Sequence, residues 1–116
     1  MSNETLKHYM ARAAHPGLIV AVVSTHGGRR EVNLATVTDV RLPRVYLDGT
    51  FPWAGSAFFA TSGANCMHPH GQNTMHRLTN DLLREATVDR PTFTMQARPD
   101  PYLVELAEAQ LAAEEE

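Results

Sequence analysis

Cys66, His68 and His70 stand at alternate positions, and His76 follows shortly after. In an extended chain alternate side chains face the same side. A thiolate and two imidazoles can then converge, with His76 brought in from the first turn of a following helix. Thiolate and imidazole are good zinc donors, so these four residues are the candidate metal site. Their spacing is not one of the standard structural zinc patterns, and Pro69 interrupts a regular strand. The alternative is a surface loop with solvated histidines, a small buried cysteine and no cofactor. A nucleophilic cysteine needs a base within hydrogen-bond reach and electropositive surroundings. His15, His26 and His70 are the available bases and nothing in the spacing selects one, so an inert thiol and no catalytic residue are expected.

The run His26-Gly27-Gly28-Arg29-Arg30 offers a second chemistry. Glycines let the backbone approach a phosphate closely, and arginines supply charge and donors. With Arg41 and Arg44 at a second turn, Arg29 and Arg30 can track a nucleic-acid backbone; the alternative is a hairpin turn with solvated arginines. Phe51-Pro52-Trp53 is the candidate protein-docking loop, because exposed aromatics are costly and are favoured at interfaces. The competing use of Phe51 and Trp53 is to plug one open end of a barrel. No Walker loop, dinucleotide fingerprint, paired-carboxylate site or serine elbow is present in the sequence.

Short strands joined by glycine and proline turns must position these residues. Leu18 to Thr25 is apolar at nearly every position until its end and reads as a strand buried on both sides, or central. Glu31 to Val40 alternates at Val32 and Leu34, then again at Val40 and Leu42. Val37 is out of phase, and a bulge near Thr38 would put Val37, Val40 and Leu42 on one face. Leu42-Pro43 leads into Arg44 to Asp48, with Val45 and Leu47 inward, and Asp48-Gly49 is a turn signal. Phe58 to Ala60 makes a fourth strand, and Thr61 to Asn65 is turn-rich.

Helices flank this core. Ser2 can cap a helix from Asn3 to about Ala13 that places Leu6, Tyr9, Met10 and Ala13 on one face. His15-Pro16-Gly17 ends it. Asn73 or Thr74 can cap a helix to about Thr87, striped by Met75, Leu78, Leu82, Leu83 and Ala86. Thr92 to Gln96 alternates as a last strand. Asp100-Pro101 then opens a final helix with Leu103, Leu106 and Ala109 or Gln110 as its stripe.

Three stretches taken together, Ala35 to Val40, Val45 to Gly49 and Phe58 to Gly63, carry a resemblance. Paired valines on one strand, a short hairpin into a strand ending at a glycine, and aromatics before a Thr-Ser-Gly turn resemble the small Src-homology-3-like barrel proteins of actinobacterial phages. The resemblance covers residues 18–63. It implies a barrel fold and a viral accessory protein, and it transfers no catalytic residue.

Length and charge bound the rest. The chain of 116 residues suits one domain: an N-terminal helix over 1–14, the barrel core over 18–63, a histidine-rich loop over 64–73 and a helical and strand extension over 74–116. The net charge of −3 does not advertise nucleic acid. Six basic and four acidic residues lie in 1–72, against four arginines and nine acidic residues in 73–116, so an acidic tail follows a mildly basic barrel. A lone cysteine fits a reducing compartment. Met1 to Ala14 lacks the apolar run of a signal peptide or membrane span, which makes the cytoplasm, of a host cell if the chain is phage-encoded, the expected location. The expected fold is α+β: a Src-homology-3-like β-barrel of about five strands with N- and C-terminal helices. The expected function is a non-enzymatic binding module docking on a host or viral protein, with no membrane partner. The alternatives are a nucleic-acid-associated barrel using Arg29, Arg30, Arg41 and Arg44, and a zinc-binding protein at Cys66 to His76.

Overall fold

Alternating side chains on one long strand set this architecture, because both of its faces are covered. The computed structural model describes residues 4–26, 28–48, 57–67, 73–87 and 101–114, and of His26 and Arg29 the backbone only. In chain order the elements are α1 (Leu6–Ala13), β1 (Ile19–His26), β2 (Arg29–Arg41), β3 (Arg44–Leu47), β4 (Ala57–Phe59), β5 (Asn73–Arg77), α2 (Asn80–Thr87) and α3 (Pro101–Glu114). The strands pair antiparallel in the order β4-β3-β2-β1-β5. The molecule is thus α+β: five antiparallel strands forming a curled half-barrel, plus three helices among the described residues. Bridges Phe58–Asn65 and Ala64–Thr74 tie the two edge strands to each other. None of the described helices is long and apolar enough to cross a membrane.

β1 is central, as its apolar run requires, and its two faces feed two cores. Leu18, Val20 and Val22 join Ala35, Val37, Val45, Leu47, Phe58 and Met75 inside the curl, with Tyr9 and Met10 of α1 packed on them. Ile19, Ala21 and Val23 join Val32 and Leu34 on the other side, under Leu78, Leu83 and Ala86 and under Ala107 and Leu111 of α3. β1 and β2 meet in a hairpin whose last pair is His26 opposite Arg29. Gly28 there has φ +81°, a conformation that favours glycine.

The β2–β3 register shifts between Val37 and Asp39, which places the bulge at Thr38. Val37 already shares the inner face with Ala35; the bulge brings Val40 onto that same face and bends β2 so that β3 and β4 curl back. Val40 packs against the inner core, but Leu42 does not: it sits in the turn with Pro43, 55% exposed. The expected Val37–Val40–Leu42 face therefore stops at Val40, because the turn to β3 begins before the next inward position.

Three expectations for helices are corrected. Thr5, not Ser2, caps α1, its hydroxyl accepting the His8 N–H at 3.2 Å, and the helix starts at Leu6. Residues Asn73 to Arg77 are a strand, not the first turns of a helix. β1 is apolar on both faces and central, so it needs a neighbour on each side. β5 supplies the second, and Thr79 starts the helix one turn later, its hydroxyl accepting the Leu82 N–H at 3.2 Å. In α3, which starts at Pro101 as the sequence suggests, the buried side is Ala107 and Leu111 with Leu103 and Val104, and Leu106 faces outward. The strand expected over Thr92 to Gln96, and Asp100, lie outside the described residues.

Candidate functional site

The residues that come together are not the ones that are close in sequence. Tyr9 of α1, Arg77 of β5 and Glu114 of α3 meet with Glu4 and Arg12 where α1, β5 and the end of α3 converge. The Arg77 guanidinium lies 4.1 Å from the centroid of the Tyr9 ring, and that of Arg12 lies 5.1 Å from it. Arg77 forms ion pairs with Glu4 and Glu114, each at 3.4 Å. Arg12 holds Glu4 with two contacts, at 2.8 and 2.6 Å. The Tyr9 hydroxyl donates to Glu114. Hydrogen bonding to Arg12 is the main reason the Glu4 carboxyl stays below its ordinary range, helped by the charges of Arg12 and Arg77. Burial, then the hydrogen bond and charge of Glu114, push the Tyr9 phenol far up. The phenol therefore works as a neutral donor, and the charged groups clamp three elements.

Beside this clamp lies a groove of about 310 Å³ between the start of α1, the turn at Ser62 and the start of α2. Leu6, Ser62, Met75, Arg77, Thr79 and Leu82 are among the residues that line it. Its floor is the outer edge of β5. Met75 N–H donates to Gly63 C=O at 2.7 Å, so the backbone polar groups of Met75 face away from β1. Gly63 has φ +79°, and a Cβ there would stand 2.2 Å from the Met75 carbonyl oxygen. Only glycine allows this approach, which joins the Thr61–Asn65 turn to the sheet.

α3 closes the outer layer with a polar hook. Gln110 Oε1 accepts the Ile19 N–H and Gln110 Nε2 donates to the Ile19 C=O, each at 2.8 Å. β5 ends opposite Val20, so the amide takes the rung of β1 that the next residue of β5 would have filled. At the hairpin end of the inner face, Ser24, Glu31 and Asn33 are buried, and Ser24 donates to Asn73 Oδ1. Among the described residues Asn33 Nδ2 has no hydrogen-bond partner.

Of the candidate metal residues, Cys66 and His76 are described. His76 lies on β5 instead of a helix, its Nε2 2.8 Å from Thr74 Oγ1. Burial, then the charge of Arg30, hold its imidazole below the usual range. Cys66 N–H bonds to Ala57 C=O, beside β4. Ala64 bridges Thr74 antiparallel, so the chain runs on to Cys66 and to His76 in opposite directions from that bridge. His76 thus comes from β5 and not from the first turn of a helix at Asn73. Among the described residues no cluster of three or more His, Cys, Asp or Glu could hold a metal ion. Burial raises the Cys66 thiol, and the charge of Arg44 offsets part of this. His68 and His70 lie outside the described residues, as do Phe51 and Trp53.

Of the arginines, Arg30 pairs with Glu85 of α2 at 3.0 Å, and Arg41 with Asp39 at 2.8 Å. Arg30 and Arg41 stand near opposite ends of β2, and Arg44 starts β3 beside Arg41, so the two pairs form two separate places on the surface. The side chain of Arg29 is not described.

What sequence reasoning missed is Tyr9, Arg77, Glu4, Glu114 and Gln110. Their only local signal was polarity at odds with an apolar neighbourhood, as for Gln110 between the apolar positions of α3. Comparisons with protein-family models, with curated proteins and with solved structures gave no match to this chain.

Proposed function

We propose that this chain is a non-enzymatic docking module, a small Src-homology-3-like barrel whose helical layer presents an apolar face to a protein partner. The observation that carries the reading is the outward side of α3. Tyr102 is 67% exposed and Leu106 is 43% exposed, one turn apart. Ala109 and Ala113 continue the same stripe at helical spacing, and both are exposed. The opposite side of the helix is already committed to the outer core through Ala107 and Leu111. Apolar residues thus lie on both sides of α3, and on the outward side Leu106, Ala109 and Ala113 are exposed. Tyrosine is among the side chains that most often dominate interface energy, and a neighbouring leucine adds apolar area around it. The paired charges support the same reading, since Arg12, Arg30, Arg41 and Arg77 are each held by a carboxylate. The resemblance over residues 18–63 supplies the setting, a phage accessory protein whose partner is a host or viral protein.

Leu106→Glu tests this. The substitution places a charge on an exposed position and should change stability by no more than about 0.5 kcal/mol. A protein retained by the wild-type chain and lost by the variant, with thermal melts superimposed, is the expected result. Equal retention by both chains, or none above an unrelated bait, would overturn the reading.

A further inference from the structure

We infer that the groove along the outer edge of β5 is a second binding site, independent of the α3 face, and that it takes an extended peptide by adding a strand to the sheet. Met75 turns its N–H away from β1 to Gly63. Backbone groups alternate along a strand, so Arg77, two residues on, turns its N–H and C=O the same way. Among the described residues no partner meets these two groups, and they face the groove of about 310 Å³. One rung of the sheet is thus open at the bottom of a cleft whose size lies at the low end for ligand sites.

The occupant follows from the shape. The segment Gly63–Asn65 already pairs with β5 on this edge, antiparallel, up to Met75. A second extended backbone laid end to end with it would meet Arg77 in the same register. Its successive side chains would point to opposite faces. One would reach Leu6 and Met75 on the inner side, and the next would reach Leu82 on the outer side. The favoured ligand is therefore a short extended segment with two consecutive apolar residues. A second folded copy is disfavoured, because the start of α1 and the start of α2 flank the rung and a paired edge strand brings its own flanking helices. Main-chain pairing gives the affinity and the two apolar contacts give the selectivity, as in other strand-addition sites.

The test uses the full chain and a display library of linear, cysteine-free dodecapeptides, followed by one synthesised binder. Arg77→Ala keeps the backbone N–H, and Arg77→Pro removes it at an edge position where proline is tolerated. Ser62→Trp fills the groove from an exposed position. Binding should fall at least about tenfold in Arg77→Pro, the scale of one lost hydrogen bond, and fall less in Arg77→Ala, which loosens the side-chain grip on the rung but keeps its N–H. Ser62→Trp should abolish it. Because Arg77→Pro also changes the strand, hydrogen exchange on the wild-type chain is the second measurement: the Arg77 amide should exchange fast alone and slow when peptide is bound. A binder that leaves Arg77 exchange unchanged and tolerates Ser62→Trp overturns the site. If that same binder is lost in Leu106→Glu, the docking reading stands without the groove. No enrichment from the library overturns the peptide, and a concentration-dependent dimer lost in Arg77→Pro overturns it in favour of a second copy.

Discussion

Replacing Gln110 with alanine should cost more than any surface position on a helix normally does. The side chain makes two hydrogen bonds, both at 2.8 Å, to the N–H and C=O of one residue, Ile19. Ile19 is buried, and its side chain packs in the outer core. Without the amide, both backbone groups lose their partner in a place where β5 has already ended. An unsatisfied buried polar group costs about 1–3 kcal/mol. Two such groups, with water reaching one of them, give about 2–4 kcal/mol. Gln110→Glu separates the two bonds: it keeps an acceptor for the N–H but sets a carboxylate against the carbonyl, so it should be no better than alanine. For a domain of this size the melting temperature should drop by roughly 4 °C or more per kcal/mol. Urea unfolding gives the free energy, and exchange of the Ile19 amide, protected in the wild type and fast in the variant, locates it. A change under about 0.5 kcal/mol, with Ile19 still protected, would refute the idea that Gln110 completes the sheet.

Gly63→Ala should destabilise the fold by about 2–4 kcal/mol, since it combines a left-handed conformation with a Cβ driven into the Met75 carbonyl and loss of that rung; chemical denaturation checks it. Tyr9 holds its proton more tightly folded than unfolded, so its contribution is complete below the ordinary phenol pKa of 10.0 and is lost as pH rises above it. Stability measured from pH 9 upward should therefore fall less steeply in Tyr9→Phe than in the wild type, and parallel curves would refute this. The folded His76 imidazole lies below the ordinary 6.5, so protonation favours the unfolded chain as pH drops through that value. The loss of stability between neutral pH and the unfolded-state value and below should be smaller in His76→Gln, as urea midpoints across that range would show.

β2 and β3 were legible because each carries a strand period of its own, β1 because a short continuous apolar run fits a strand covered on both faces, and the out-of-phase Val37 announced the bulge at Thr38. β5 was not legible. Met75, Leu78, Leu82 and Leu83 fit one helical stripe, yet Met75 belongs to the inner core and Leu78 to the outer one. Two layers on opposite sides of a sheet imitated a single amphipathic face, and only the need of β1 for a second neighbour distinguishes the cases. In α3 the larger side chains drew the stripe toward Leu106. The fold buries Ala107 completely instead, because a small residue lets the helix come close enough for Gln110 to reach Ile19. The clamp was beyond local reading altogether, since Tyr9 and Glu114 are 105 residues apart.

The candidate sites follow from how this sheet disposes of its edges. A five-stranded curl has two edge strands, and each exposes a row of backbone groups that invites pairing. The edge at β4 is closed by the Phe58–Asn65 bridge, and the same short segment reaches over to β5 through Ala64 and Thr74. That segment is brief, so it covers the first half of β5 and stops at the Gly63–Met75 hydrogen bond. On the inner side of β5 the ladder with β1 also ends early, and there the chain supplies Gln110 from α3 to finish it. The outer side of Arg77 receives no such substitute among the described residues, although its side chain is gripped by Glu4, Tyr9 and Glu114. The grip holds the rung in place while leaving it open. A rung fixed by its own side chain loses little freedom when a partner strand arrives, which is the condition under which a single pair of backbone hydrogen bonds contributes to affinity.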